Sequence, residues 1–144
     1  MKNKFKKKEE EAYCMKFWIL TFGVDLFMVL IMIVFGRYLI KKSKRYKDSF
    51  GYNTSLSIKN KAVWEFANLS IGRSWFIGGL VLTPVVIIIM LYNIQSELYM
   101  VARVGGAICS LSGLYMSLST LTTVILLRIN FDKDGNRRTK KEKE

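Results

Sequence analysis

The sequence predicts an all-α integral membrane protein of three transmembrane helices, with an amphipathic interfacial helix between helices 1 and 2. Two observations predict it. Apolar residues make up 51% of the 144 positions and are gathered in three long runs, where a soluble domain would mix them with charges. The charges, 23 Lys and Arg against 11 Asp and Glu for a net +12, lie mostly between and around those runs. Too little chain remains outside them for a second buried core, which excludes a soluble catalytic domain.

Residues 1–16 are a charged N-terminal tail, followed by one membrane domain over 17–127 and a basic C-terminal tail over 128–144. Transmembrane helix 1 is expected over 17–40, which crosses a hydrocarbon core of about 30 Å at about 1.5 Å per residue. It ends in Arg37, Tyr38, Lys41 and Lys42 instead of a small-residue cleavage site, and so reads as an anchor, not a secretory signal. Helix 2, over 74–92, contains Pro84, which a bilayer tolerates where neighbours satisfy the freed carbonyl; a kink near Leu80 is expected. Helix 3, over 99–127, follows after the short segment Asn93 to Leu98, so helices 2 and 3 should form a tight antiparallel hairpin.

Orientation follows from the basic residues on each side. Lys2, Lys4, Lys6, Lys7, Lys8 and Lys16 flank the N-terminus. The opposite side holds Arg37, Lys41, Lys42, Lys44, Arg45, Lys47, Lys59, Lys61 and Arg73, together with Arg128, Lys133, Arg137, Arg138, Lys140, Lys141 and Lys143. Sixteen against six places the N-terminus outside and the C-terminus in the cytoplasm. The tails should attract anionic phospholipid, at about 1 kcal/mol per exposed basic residue. They lack an aromatic stacking platform, so no nucleic acid is expected.

The interfacial segment, 50–73, opens on the aromatic-glycine turn Phe50-Gly51-Tyr52. On a helix, Lys61, Glu65, Asn68 and Gly72 form one narrow polar stripe, while Val63, Trp64, Phe66, Ala67 and Ile71 cover most of the rest. Ser57 is the expected N-cap, and Gly72 is expected to let the chain turn before helix 2. A plain interfacial anchor without a ligand is the alternative reading of this segment.

The residues Gly51, Tyr52, Thr54, Ser57, Asn60, Trp64, Ala67, Asn68, Gly72 and Arg73, in that order and spacing, resemble the signature of the SdpI family. The tail Phe131-Asp132-Lys133-Asp134-Gly135-Asn136-Arg137 is similar to the segment that often follows the family's last helix, so the resemblance covers roughly residues 24–138. Asn53 stands where the family more commonly has arginine. The resemblance implies a bacterial plasma-membrane immunity protein that binds or neutralises a membrane-active peptide toxin or binds that toxin's membrane target. In the name-giving case it also implies a receptor that holds a cytosolic regulator.

Two features inside the membrane carry further expectations. Asp25 and Arg103 lie in the same leaflet, their backbones about 6 Å apart in depth, which an arginine side chain can span. They are read as an ion pair or a ligand contact; the alternative is that Arg103 snorkels outward alone and Asp25 is protonated or bonds to Thr21 or a neighbouring hydroxyl. Gly105, Cys109, Gly113 and Ser117 form a four-residue repeat suited to close helix packing, and the neighbouring stripe of Ala102, Gly106 and Ser110 widens it enough for one face to meet helices 1 and 2, or for a homo-oligomer contact in addition. Ser112, Ser119, Thr120, Thr122 and Thr123 are expected to bond back to their own helix. Asp132 to Asn136 reads as an Asp-Gly turn, since position 12 of a calcium loop would be Lys143.

No histidine is present and the two cysteines, Cys14 and Cys109, are far apart, so neither a metal site, a cofactor nor enzymatic chemistry is expected. The leading expectation is peptide-toxin immunity. Its rivals are a regulatory or scaffold subunit recruiting a partner through residues 51–73, and a transporter or channel component.

Overall fold

The computed structural model describes residues 2–46 and 51–138, and these form three helices, α1 (Lys2–Lys42), α2 (Lys61–Tyr92) and α3 (Leu98–Asn130). Each is long and apolar enough to cross a membrane. The protein is all-helical, with one isolated bridge between Phe131 and Arg137 as the sole β pairing among the described residues. α1 packs most extensively on α2, and α3 leans on both. The segment 43–60 joins α1 to α2 at one end of the bundle, where the C-terminal tail also returns; this is the cap end. The short turn 93–97 closes the α2–α3 hairpin at the opposite end.

Large apolar side chains point outward from all three helices, among them Phe27 and Val34, Val81 and Ile88, and Leu111 and Leu118. A soluble bundle would bury such residues, whereas a membrane-spanning one presents them to lipid. Inward-facing residues form two clusters. Trp18, Val29, Val86, Met90, Val101 and Ile108 pack towards the hairpin end, where the Trp18 indole donates to the Met90 carbonyl at 2.9 Å. Val63, Ala67, Leu127 and Phe131 pack at the cap end.

Three sequence expectations change. The N-terminal tail does not stand apart from helix 1, because α1 is helical from Lys2 onward. Its Lys, Glu, Ala and Met residues are strong helix formers, and the Trp18–Met90 bond puts the turns before Phe17 beyond the end of α2. The segment 61–73 is not a separate interfacial helix but the opening turns of α2, continuous through Ser74 to Tyr92 and past Pro84. Gly72 makes no turn: a Cβ there would lie 2.9 Å from the Gly36 carbonyl oxygen, and one on Gly36 would lie 2.8 Å from the Gly72 oxygen. The two glycines are where α1 and α2 cross, each leaving room for the other's backbone.

The small-residue repeat on α3 likewise splits. Gly105 is buried with its Cα facing Thr21 and Asp25, Cys109 is half-buried, a Cβ on Gly113 would meet nothing within 4 Å, and Ser117 is exposed. A strict four-residue repeat rotates about 40° per step on a helix of 3.6 residues per turn, so this one winds from the bundle towards lipid. The face that packs inward is Val101, Gly105, Ile108, Ser112, Ser119, Thr123 and Leu127. Polar links also join α3 to α2. The Trp75 indole donates to the Ser119 hydroxyl at 2.7 Å, and the Tyr115 hydroxyl donates to the Ser74 carbonyl at 2.9 Å while its ring covers Gly78. Ser119, Thr120, Thr122 and Thr123 donate back to their own helix, as expected.

Candidate functional site at the cap end

The cap is assembled from the α1–α2 connection, the first turns of α2 and the returning tail. Gly51 lies against the Trp64 indole, where a Cβ would come within 2.6 Å of the ring. The next residue, Tyr52, donates its backbone N–H to Asn68 Oδ1 at 2.8 Å, and Asn68 Nδ2 donates to the Trp64 carbonyl at 2.9 Å. Asn68 is 0% exposed, so its amide satisfies connection and helix together, as a buried amide must. Burial in the cap also raises the Tyr52 phenol above its usual pKa.

Ser57 does not cap α2. It closes a local box instead: Thr54 N–H donates to Ser57 Oγ at 2.7 Å, Ser57 N–H donates to Thr54 Oγ1 at 3.2 Å, and Ser57 Oγ lies 2.8 Å from the Tyr52 carbonyl as its donor. The N-cap is Asn60, whose Oδ1 accepts from Val63 N–H at 3.0 Å. Its Nδ2 reaches across to the tail and donates to the Gly135 carbonyl at 2.6 Å. Tyr46 adds an outer tie, donating to the Ile58 carbonyl at 2.9 Å and meeting Trp64 edge-on.

The tail is a compact turn. Asp132 N–H donates to the Asn136 carbonyl and Arg138 N–H to the Asn130 carbonyl, both at 2.9 Å. Gly135 has φ +86°, a conformation that favours glycine. Phe131 packs edge-on against Phe66 of α2, 5.6 Å between ring centroids. The Asp132 carboxylate accepts from the N–H groups of Asn136 and Asp134 and from the Asn136 side-chain amide. These bonds, led by the Asn136 backbone N–H, hold Asp132 below the usual carboxylate range.

Gly51, Tyr52, Thr54, Ser57, Trp64 and Asn68 are thus one connected unit, Asn60 links it to the tail, and Ala67 lies in the apolar cluster beneath. Gly72 is at the helix crossing and Arg73 is exposed just beyond it. Sequence reasoning missed a basic cleft at the cap's edge. Lys59, Arg128, Lys133 and Arg138 line it together with Ser55, Leu56, Phe131 and Asp132, around about 530 Å³. The charge count held its only signal, because nothing in the sequence shows the tail folding back.

Asp25 and Arg103 are not brought together. Asp25 is 1% exposed, and its Oδ2 has no hydrogen-bond partner among the described residues. The nearby Thr21 hydroxyl donates to the Phe17 carbonyl at 3.0 Å instead. Arg103 is exposed and no ion pair joins it to Asp25. Gly105 sets this arrangement: its Cα faces Asp25, and a residue two positions away points to roughly the opposite side of the helix.

Comparison with protein-family models, curated proteins and solved structures finds no match to this chain.

Proposed function

We propose that the chain is an SdpI-like membrane immunity protein that binds or neutralises a membrane-active peptide toxin. In this reading it resides in a bacterial cell membrane, with its N-terminus outside, its C-terminus in the cytoplasm and anionic phospholipid around its tails. The observation that carries the reading is that the residues of the resemblance, from Gly51 to Asn68, interlock through one another's side chains and backbone instead of being scattered over the surface. A motif whose members depend on one another in this way specifies a local architecture, which is what a shared signature would have to encode.

The toxin contact belongs to the hairpin-end half of the membrane. Arg103 is exposed on the lipid face there and makes no ion pair among the described residues, and an unpaired intramembrane cation is costly unless it snorkels or meets an acidic group. A peptide inserting from outside with a carboxylate at that depth would provide one. Expression in a sensitive strain, challenged with a panel of secreted membrane-active peptides, tests this. The chain should protect against at least one peptide, and Arg103→Gln should reduce protection at unchanged protein abundance. Unchanged sensitivity to every peptide at verified expression rejects the immunity reading.

A second reading, a scaffold subunit that recruits a cytosolic regulator, is favoured by the exposed basic residues at the cap end. It predicts co-purification of such a partner that is lost when Arg137 and Arg138 are both changed to Gln.

A further inference from the structure

We propose that the cleft between Ser55, Lys59, Arg128, Lys133 and Arg138 binds one phosphate-bearing anion at the membrane surface, a phosphomonoester or phosphodiester group. Three separate stretches of chain build it: the α1–α2 connection supplies Ser55 and Lys59, the last turn of α3 supplies Arg128, and the folded-back tail supplies Lys133 and Arg138. Like charges brought together from such distant positions repel one another, and an anion bound between them offsets that repulsion. None of these four cations makes an ion pair among the described residues.

The one carboxylate on the rim, Asp132, offsets a single one of these four charges. It commits three acceptor bonds to its own turn, Oδ1 taking two backbone amides and Oδ2 the Asn136 side chain, and three positive charges stay in excess. The guanidinium groups, without an ion pair among the described residues, can fork onto phosphate oxygens, the geometry for which arginine is suited, and Ser55 adds a hydroxyl. Leu56 and Phe131 give the cleft an apolar floor, and its position beside the last turn of α3 puts it at headgroup level, where the lipid-facing run that includes Ile125 and Ile129 ends. The cavity of about 530 Å³ falls within the usual range for small-ligand sites, roughly 300 to 1,000 Å³.

The test uses the full chain in uncharged detergent, titrated with short-chain phosphatidylglycerol, glycerol 3-phosphate and inorganic phosphate, with bound equivalents counted by native mass spectrometry. One saturable equivalent is expected, and phosphatidylcholine, whose headgroup carries a compensating cation, should compete poorly. Arg128→Gln with Arg138→Gln should weaken binding by about tenfold or more. Lys41→Gln with Lys44→Gln removes equal charge from exposed positions at the same end of the bundle and should leave binding unchanged. Tighter binding of phosphatidylglycerol than of the two soluble phosphates identifies the source as lipid, and the reverse order identifies a soluble phosphate compound; either supports the site. Non-saturating binding, or equal loss in both double variants, reduces the cleft to part of a diffuse positive field and overturns the proposal. So does binding of an acidic peptide such as polyglutamate with no binding of any phosphate compound.

Discussion

Asn60 ties the start of α2 to the returning tail: Oδ1 accepts from Val63 N–H while Nδ2 donates to the Gly135 carbonyl at 2.6 Å. One side chain therefore serves as helix cap and as tether across a separation of 75 residues. The cleft depends on this tether, because Lys133 and Arg138 reach its rim only while the tail is docked.

Replacement of Asn60 separates the two roles. Asn60→Asp keeps the capping oxygen and loses the donor to Gly135, whereas Asn60→Ala loses both. The alanine variant should lose about 1 to 2 kcal/mol through the cap and about 1 kcal/mol more through the tether. The aspartate variant should lose mainly the second part. Thermal stability in detergent reads the total, and protease cutting after Lys133 or Arg137 reads tail release, which should rise in both. An aspartate variant with a fully protected tail shows that Phe131 packing alone holds it.

Glycine substitutions should divide sharply by position. Gly72→Ala places a methyl group 2.9 Å from the Gly36 oxygen, against backbone that cannot rotate away. It should cost about 1 to 3 kcal/mol through helix separation. Gly106→Ala and Gly113→Ala meet nothing within 4 Å and should stay within about 0.5 kcal/mol of the parent. Equal losses at Gly72 and Gly113 in detergent melts would show that α3 packs on a further helix through that face.

How much of this arrangement is legible in the sequence depends on which coordinate is asked for. Positions along the membrane normal are legible, since long apolar runs locate helices and the spacing of Asp25 and Arg103 gives their depth. Positions around a helix axis are not, because they depend on which partner each face meets. Arg103 and Gly105 share a depth to within two residues and lie on opposite sides of α3. Gly72 shows a related ambiguity, for a missing Cβ serves both a turn and a helix crossing, and only the presence of Gly36 opposite decides between them. The cap was half legible: the residues of the resemblance marked its interior, while the tail that completes it docks through contacts too distant in sequence to leave a pattern.

The separation of Asp25 from Arg103 makes their substitution effects independent. Asp25→Asn removes the ability to carry charge from a buried carboxyl whose Oδ2 has no hydrogen-bond partner among the described residues, and should not lower stability. Arg103→Gln changes an exposed residue and should also have little effect. The double variant should equal the sum of the singles to within about 0.5 kcal/mol. A larger coupling energy, measured from melts of the three variants, would mean that the two residues pair in the membrane after all.

Asp132 should give the tail a one-sided response to pH. Its carboxyl pKa is lowered in the folded tail, first by the Asn136 backbone N–H. The ionised form therefore favours the folded turn, a contribution fully present above the unfolded carboxylate pKa of about 3.9 and lost as pH falls through the lower folded value. Tail docking, followed by amide hydrogen exchange at Asp134 and Asn136 and corrected for intrinsic exchange rates, should be constant from pH 7 to about pH 5. Protection should fall only in more acidic solution. A drop between pH 7 and pH 5 would assign the dependence to some other group.

Topology offers the most direct test of the three-span architecture, because α1, α2 and α3 put the connection and the C-terminal tail at one end and the N-terminus at the other. In a background lacking Cys14 and Cys109, single cysteines at Lys7, Ser55 and Asp134 all occupy exposed positions. The excess of basic residues at the cap end predicts that this end stays in the cytoplasm. An impermeant thiol reagent added to intact cells should then label Lys7→Cys and spare Ser55→Cys and Asp134→Cys, with all three reacting after lysis. Labelling of Ser55→Cys and Asp134→Cys but not Lys7→Cys would invert the protein without changing its fold. That result would place the cap and its basic cleft outside, within direct reach of a secreted peptide, and would move the expected toxin contact from Arg103 to the cap. Labelling that separates Ser55→Cys from Asp134→Cys is incompatible with the Asn60–Gly135 bond, and would show that one of α2 and α3 does not cross the bilayer.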